Sequence, residues 1–260
     1  MTGEIKNEIL LKSHGGEWFK RWFNSSFYHK LYSERNEKEA ADFIDELIKE
    51  LQPGPNACML DLGCGNGRHS KYLSSKGFDV TGIDLASSSI REARKWQNDS
   101  LRFYRQDMRT RFGESYFDFV LSFFTSFGYF DNPEDDDVVL GNITRALKPG
   151  GMLMMDYINA PFAEKKTIAS EQKEIDGIVY SITRWNDEKY FYKKIAIGED
   201  ILGEPIEYTE RVRKYSLDDF YYRFAKHGLQ VEQVFGDYQL NEYEKETSPR
   251  IILVAGKAHF

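Results

Sequence analysis

The chain has 260 residues, 41% hydrophobic and 30% charged, with a formal net charge of −7. This is the make-up of a globular protein, and no apolar run approaches the roughly 20 residues that a membrane span needs. The acidic balance disfavours a nucleic-acid partner, and the two cysteines, Cys58 and Cys64, are too few for a disulfide framework or a zinc site. The opening residues, MTGEIKNEILLKSHGG, lack the basic start, apolar centre and cleavage site of a signal peptide, so a reducing, cytoplasmic setting is expected.

Residues 17–32, EWFKRWFNSSFYHKLY, carry Trp18, Phe19, Trp22 and Phe23, then Phe27, Tyr28, Leu31 and Tyr32, at helical spacing. They read as one amphipathic helix or two helical pieces. The segment precedes the sheet elements and holds more aromatic surface than it can cover alone. We expect a lid over a cleft, with Tyr28 and Tyr32 facing inward. Residues 37–51 form an amphipathic helix that QPGP stops.

From residue 57 strands and helices alternate: a strand at 57–62, a helix at 67–76, the strand FDVTGID and a helix at 86–97. The basic residues of SIREARK, 89–95, with Arg102, Arg105, Arg109 and Arg111 beyond, are interleaved with acids and read as a solvated face. Strands near 101–105 and at FDFVLSF follow, then a helix from Pro133 to Leu147 and the strand GMLMMDYI. Pro133 suits the first helical turn, and the acids 134–137 behind it complement the helix dipole, which explains them without a metal. Short connections between alternating elements imply a doubly wound parallel sheet with helices on both faces.

Residues 174–215 then hold three β-rich stretches, IDGIVYSITRW, EKYFYKKIAIG and PIEYTERVRKYS, with turn signals at Asn186-Asp187 and around Gly203. They predict an inserted antiparallel meander. Its aromatic residues suggest that it covers the active-site side or makes a homodimer contact. A helix at 217–227 and strands at 229–236 and RIILVAG return to the main sheet and bring its strands to seven. The fold class is α/β.

The chemistry is concentrated at CMLDLGCGNGRHSKYL, residues 58–73. Gly63, Gly65 and Gly67 lie where a strand turns into a helix, at the carboxyl end of the sheet where such folds bind ligands. Dinucleotide sites use glycine turns too, but the spacing here is D-x-G-x-G-x-G, with Asp61 leading the loop. An acid in that place suits a ligand with an ammonium group better than a pyrophosphate. Asp84 ends the second strand, where a carboxylate can accept from both ribose hydroxyls. Asp107 ends the third and can accept from an adenine amine.

Taken together, LDLGCGNG, VTGID, QDM, FDFVLSFFTSFGYFD and LKPGGMLMMDY resemble the successive motifs of class I S-adenosylmethionine-dependent methyltransferases, with their Rossmann-like sheet. FFTSFGYF and the ending FGDYQ…SPRIILVAGK resemble a bacterial small-molecule branch, similar to sugar N-methyltransferases. The resemblance implies S-adenosylmethionine as cofactor. The Gly63–Gly67 loop would hold its methionine part, with Asp61 near the amino group. Asp84 would take the ribose, and Asp107 with the Met108 backbone the adenine. Leu85 would pack on the adenine, and Ser122 and Phe123 would set backbone groups against the methionine amine.

On this reading residues 1–160 hold the lid and the cofactor half, 161–216 the meander, and 217–260 the elements that complete the sheet. The expected reaction moves a methyl group to nitrogen or oxygen of a small-molecule acceptor. A nicotinamide-dependent reductase and a non-catalytic protein that binds S-adenosylmethionine are the rival readings. In-line methyl transfer needs alignment and exclusion of water more than a catalytic triad. The catalytic candidates are therefore few: Tyr28, Tyr32 and His69. His69 either faces the cleft or only decorates its helix, and Arg68 either binds an acidic substrate or pairs with the surface. The Asn/Asp-Pro-Pro-aromatic signature for planar amine acceptors is absent.

Overall fold

The computed structural model describes residues 17–32, 37–198 and 206–258. Two short helices come first, α1 (Trp18–Trp22) and α2 (Ser26–Leu31). The helical spacing of 17–32 is broken at Ser25, whose extended backbone and hydroxyl cap a new helix by accepting from Phe27 N at 3.1 Å. Helix α3 (Glu37–Leu51) precedes the alternating half: β1 (Cys58–Leu62), α4 (Arg68–Ser75), β2 (Asp79–Asp84), α5 (Ser87–Ala93), β3 (Leu101–Arg105), β4 (Phe117–Ser122), α6 (Pro133–Ala146) and β5 (Leu147–Ile158). The helix expected over 86–97 is α-helical only to Ala93 and closes with a 3-10 turn at 94–96.

Helix α7 (Ala160–Lys166), which the sequence did not suggest, leads to β6 (Ser170–Ile175), β7 (Ile178–Asn186), β8 (Tyr190–Ile197) and β9 (Ile206–Arg213). Helix α8 (Leu217–Lys226), β10 (Leu229–Phe235) and β11 (Arg250–Lys257) complete the chain. The main sheet has seven strands in the order β3-β2-β1-β4-β5-β11-β10. β1 pairs in parallel with both β2 and β4, and β11 runs antiparallel to its two neighbours. Strand order therefore reverses between β1 and β4, which opens a crevice at their carboxyl ends.

Both faces of this sheet are covered, because successive residues of a strand point to opposite sides. Leu60 and Leu62 of β1 join the core beneath α6 and α8, with Val139, Ile143, Phe220 and Phe224. Met59 joins the opposite core, with Phe43, Ile44 and Leu47 of α3.

The meander is an antiparallel sheet of four strands in sequence order, where three were expected. The expected first stretch, IDGIVYSITRW, contains the turn itself. Asp176 and Gly177 both take positive φ, 52° and 71°, so they form a two-residue hairpin between β6 and β7. The turn signal around Gly203 lies outside the described residues. One face of this sheet packs Tyr180, Ile182, Ile195, Ile197 and Tyr208 against Trp22, Phe27 and Leu31. The meander thus covers Trp22, Phe27 and Leu31 as a third core, Phe19 joins the core of the main sheet, and Trp18, Phe23 and Tyr28 line the cleft.

Candidate active site

The glycine turn is built by its contacts with β2. Gly63 N and Cys64 N both donate to Ile83 O, at 2.9 and 3.0 Å, and Gly65 N donates to Asp84 Oδ2 at 2.9 Å. Gly65 has φ +55° and nothing within 4 Å of where a Cβ would stand, so its bare backbone faces open space. Gly67 answers a different need. At φ +81° it starts α4, and a Cβ there would lie 2.6 Å from Phe103 Cζ. Cys64 is buried, and burial pushes its thiol well up, which makes it an inert wall and a poor nucleophile.

Asp84 accepts a second backbone N–H, from Ala86 at 2.7 Å. Burial raises its carboxyl against the lowering effect of these donors. Asp107 is also raised by burial, but hydrogen bonds from Arg109 outweigh that and hold it below the usual carboxylate range. The Arg109 side chain reaches Asp107 at 2.7 Å, Glu17 at 2.8 Å and Asp135 at 3.1 Å, tying the start of the N-terminal segment to the rim. Asn24 Oδ1 accepts from Ser88 N at 3.2 Å and His29 Nε2 lies 2.9 Å from Ser88 Oγ, which docks α1 and α2 onto α5.

These elements enclose a cavity of about 1060 Å³. Gly63, Gly65, Gly67, Asp84, Leu85, Asp107, Met108 and Phe123 line it, as do Tyr28, Tyr32 and His69. Asp61, expected near the amino group, and Ser122, expected to present its backbone, are not among the lining residues. Asp61 is 1% exposed, beneath the loop, where Ser70 Oγ of α4 donates to it at 2.5 Å. Burial pushes its carboxyl up to about 7. Its strand position explains this: Asp61 points to the same side as Met59, into the layer that α4 covers. Ser122 is fully buried and its hydroxyl has no partner among the described residues.

His69 is 7% exposed and stacks on Phe123 with ring centroids 4.2 Å apart. Arg68 lies over the ring of Phe124, 5.0 Å from its centroid. Phe124 and Thr125 take positive φ, 53° and 60°, an uncommon backbone for such residues. Asp156 holds this turn, accepting from Phe124 N at 2.8 Å and, through its carbonyl, from Thr125 N at 3.0 Å. Sequence reasoning missed Asp156 and the Arg250 and Tyr238 that surround it, although both of the latter lie in the FGDYQ…SPRIILVAGK ending.

It also missed Glu210, Lys193 and Trp185, meander residues that line the far side of the cavity. A signal for Glu210 was present in YTERV. Tyr208, Glu210 and Val212 alternate onto one face, and an acid on the inward face of a strand is unusual.

Residues 59–151 match the family model described as a methyltransferase domain. A protein of Geobacillus sp. (strain WCH70) named as a methyltransferase is 26% identical over 240 residues, covering 89% of this chain and 97% of that one. A dTDP-3-amino-3,4,6-trideoxy-alpha-D-glucopyranose N,N-dimethyltransferase of Streptomyces venezuelae is 28% identical over 136 residues, 51% of this chain and 56% of the relative. Among solved structures, an S-adenosylmethionine-dependent methyltransferase from Clostridium acetobutylicum ATCC 824 shares the fold, with a TM-score of 0.73 at 21% identity over 90% of this chain and 97% of that one. The open backbone at Gly65, the acids at or just past successive strand ends and these likenesses agree: residues 59–151 form a methyltransferase domain, and the chain is similar to class I S-adenosylmethionine-dependent methyltransferases.

Proposed function

We propose that this enzyme methylates nitrogen or oxygen of a small molecule held between the glycine turn, helices α1 and α2, and the meander. The observation that carries this reading is the cavity itself. One continuous, partly open cleft runs from the open backbone of Gly65 to the aromatic and polar residues of β7, β8 and β9. S-adenosylmethionine supplies an electrophilic methyl group on a sulfonium when bound.

The Gly63–Gly67 backbone would cradle its methionine part, with Phe123 behind. Asp84 would accept from the ribose hydroxyls, and Asp107, Met108 and Leu85 would surround the adenine. Asp61 supports the loop from below through Ser70 and α4. Trp18, Phe23, Tyr28 and Tyr129 keep water from the reacting centre and offer ring faces to a cation. The Streptomyces venezuelae relative is named for methylating an amino sugar nucleotide, which favours a small polar acceptor over a macromolecule.

The test is calorimetry with S-adenosylhomocysteine and with NAD, followed by transfer of labelled methyl groups to a fractionated metabolite pool. Binding of S-adenosylhomocysteine and label in a small-molecule fraction are expected. Label found only in protein or nucleic acid would overturn the acceptor assignment.

A further inference from the structure

Phe124 and Thr125, the positive-φ pair just past β4, form part of the cavity wall. Their neighbour Ser126 stands against the glycine turn, since a Cβ on Gly63 would lie 2.7 Å from Ser126 Cβ. The pair therefore borders the end of the cleft that the glycine turn forms. A β-branched residue at φ 60° is a true outlier, and strain of that kind collects at ligand sites. Thr125 is 8% exposed, and its Oγ1 accepts from the second guanidinium nitrogen of Arg250 at 2.8 Å. A guanidinium has no lone pair to accept with, so the Thr125 hydroxyl must send its own proton elsewhere. Asp156 does not take it: Oδ1 accepts from Arg250, and Oδ2 from Phe124 N and Tyr238. A buried hydroxyl in the cavity wall thus carries a proton that finds no acceptor among the described residues.

We propose that Thr125 Oγ1 donates a hydrogen bond to a carboxylate or carbonyl oxygen of a bound ligand and so fixes that ligand beside the glycine turn. The proposal rests on the methyl-transfer reading above and adds to it a binding residue and the chemical group that this residue requires. A buried donor left unpaired is costly, so a ligand that brings an oxygen lone pair is favoured over one that does not. Arg250 donates into the same oxygen and polarises its O–H bond, which strengthens Thr125 as a donor. Asp156 clamps the N–H groups of both Phe124 and Thr125, so the hydroxyl is held in place before the ligand arrives. Two molecules bring such an oxygen: the cofactor, in its methionine carboxylate, and the methyl acceptor.

The experiment compares Thr125→Val, which keeps the shape and loses the hydroxyl, with Thr125→Ser, which keeps the hydroxyl. Calorimetry follows S-adenosylhomocysteine and 5′-methylthioadenosine, which lacks the amino-acid part, and labelled methyl transfer is measured across dilutions of the metabolite pool. With the methionine carboxylate as partner, Thr125→Val should weaken S-adenosylhomocysteine by about tenfold or more and leave methylthioadenosine unchanged. With the acceptor as partner, both nucleosides should bind as before, and the half-saturating pool concentration should rise by about tenfold at a little-changed maximal rate. Thr125→Ser should restore the parent value in either case. Thr125→Gly, which suits positive φ, removes the same hydroxyl where Thr125→Val does not fold. Equal weakening of both nucleosides, a Thr125→Val protein indistinguishable from the parent, or no rescue by Thr125→Ser overturns the proposal. A parent protein that fails to bind S-adenosylhomocysteine counts instead against the underlying reading.

Discussion

Arg250 Nε lies 2.6 Å from Oδ1 of Asp156, a carboxylate with no solvent exposure, across the pairing of β11 with β5. The second guanidinium nitrogen reaches Thr125 Oγ1 at 2.8 Å, and the Tyr238 hydroxyl donates to Asp156 Oδ2 at 3.2 Å. A buried ion pair thus fixes the positive-φ turn at Phe124 and Thr125, which forms one wall of the cavity. Removing one partner leaves a buried charge unpaired. Arg250→Met should therefore cost about 3–5 kcal/mol in urea denaturation. Adding Asp156→Asn to it should recover part of that loss.

Asp84→Asn should weaken S-adenosylhomocysteine binding by about 1–3 kcal/mol in calorimetry, because the ribose hydroxyls lose a charged acceptor. Both Asp84 oxygens also accept backbone N–H groups, from Gly65 and Ala86, and an amide can serve only one of them. A lower melting temperature should accompany the loss of affinity. Undiminished binding would remove Asp84 from the ribose site.

Burial raises Asp61 from its ordinary 3.8 to about 7, so the folded protein holds this proton where the unfolded chain has released it. The stabilisation is complete below the unfolded value and is lost as pH rises to about 7. Asp61→Asn should flatten this part of the stability profile. Its stability relative to the parent should rise between pH about 4 and about 7 and stay level above. A constant difference across that window would show that Asp61 does not titrate there.

Trp22 is fully buried between α1 and the meander, its ring 4.6 Å from that of Tyr208. Trp22→Ala should cost about 3–5 kcal/mol. Hydrogen exchange in 178–197 should accelerate. Exchange confined to 18–32 would mean that the meander holds itself together without these helices.

His69 lies flat against Phe123. His69→Phe preserves a stacked ring, so methyl transfer should survive at near the parent rate. A loss of about 100-fold or more with cofactor binding intact would make His69 a base.

The sequence by itself determined the alternating sheet, the glycine turn and the acids at or just past the ends of β1, β2 and β3. These are local features: positive φ demands glycine, an apolar run ends at a charge, and a Pro followed by acids starts a helix. It also contained the aromatic excess of residues 17–32, but not what covers it. Only the tertiary structure decided that Trp22, Phe27 and Leu31 face the meander, that Asp61 points into a packed layer while Asp84 lines the cavity, and that Glu210 meets Tyr32. Glu210 and Tyr32 are 178 positions apart, and Asp156 and Arg250 are 94 apart. Whether an acid is solvated, paired or buried depends on what packs against it, and that neighbour comes from a distant part of the chain.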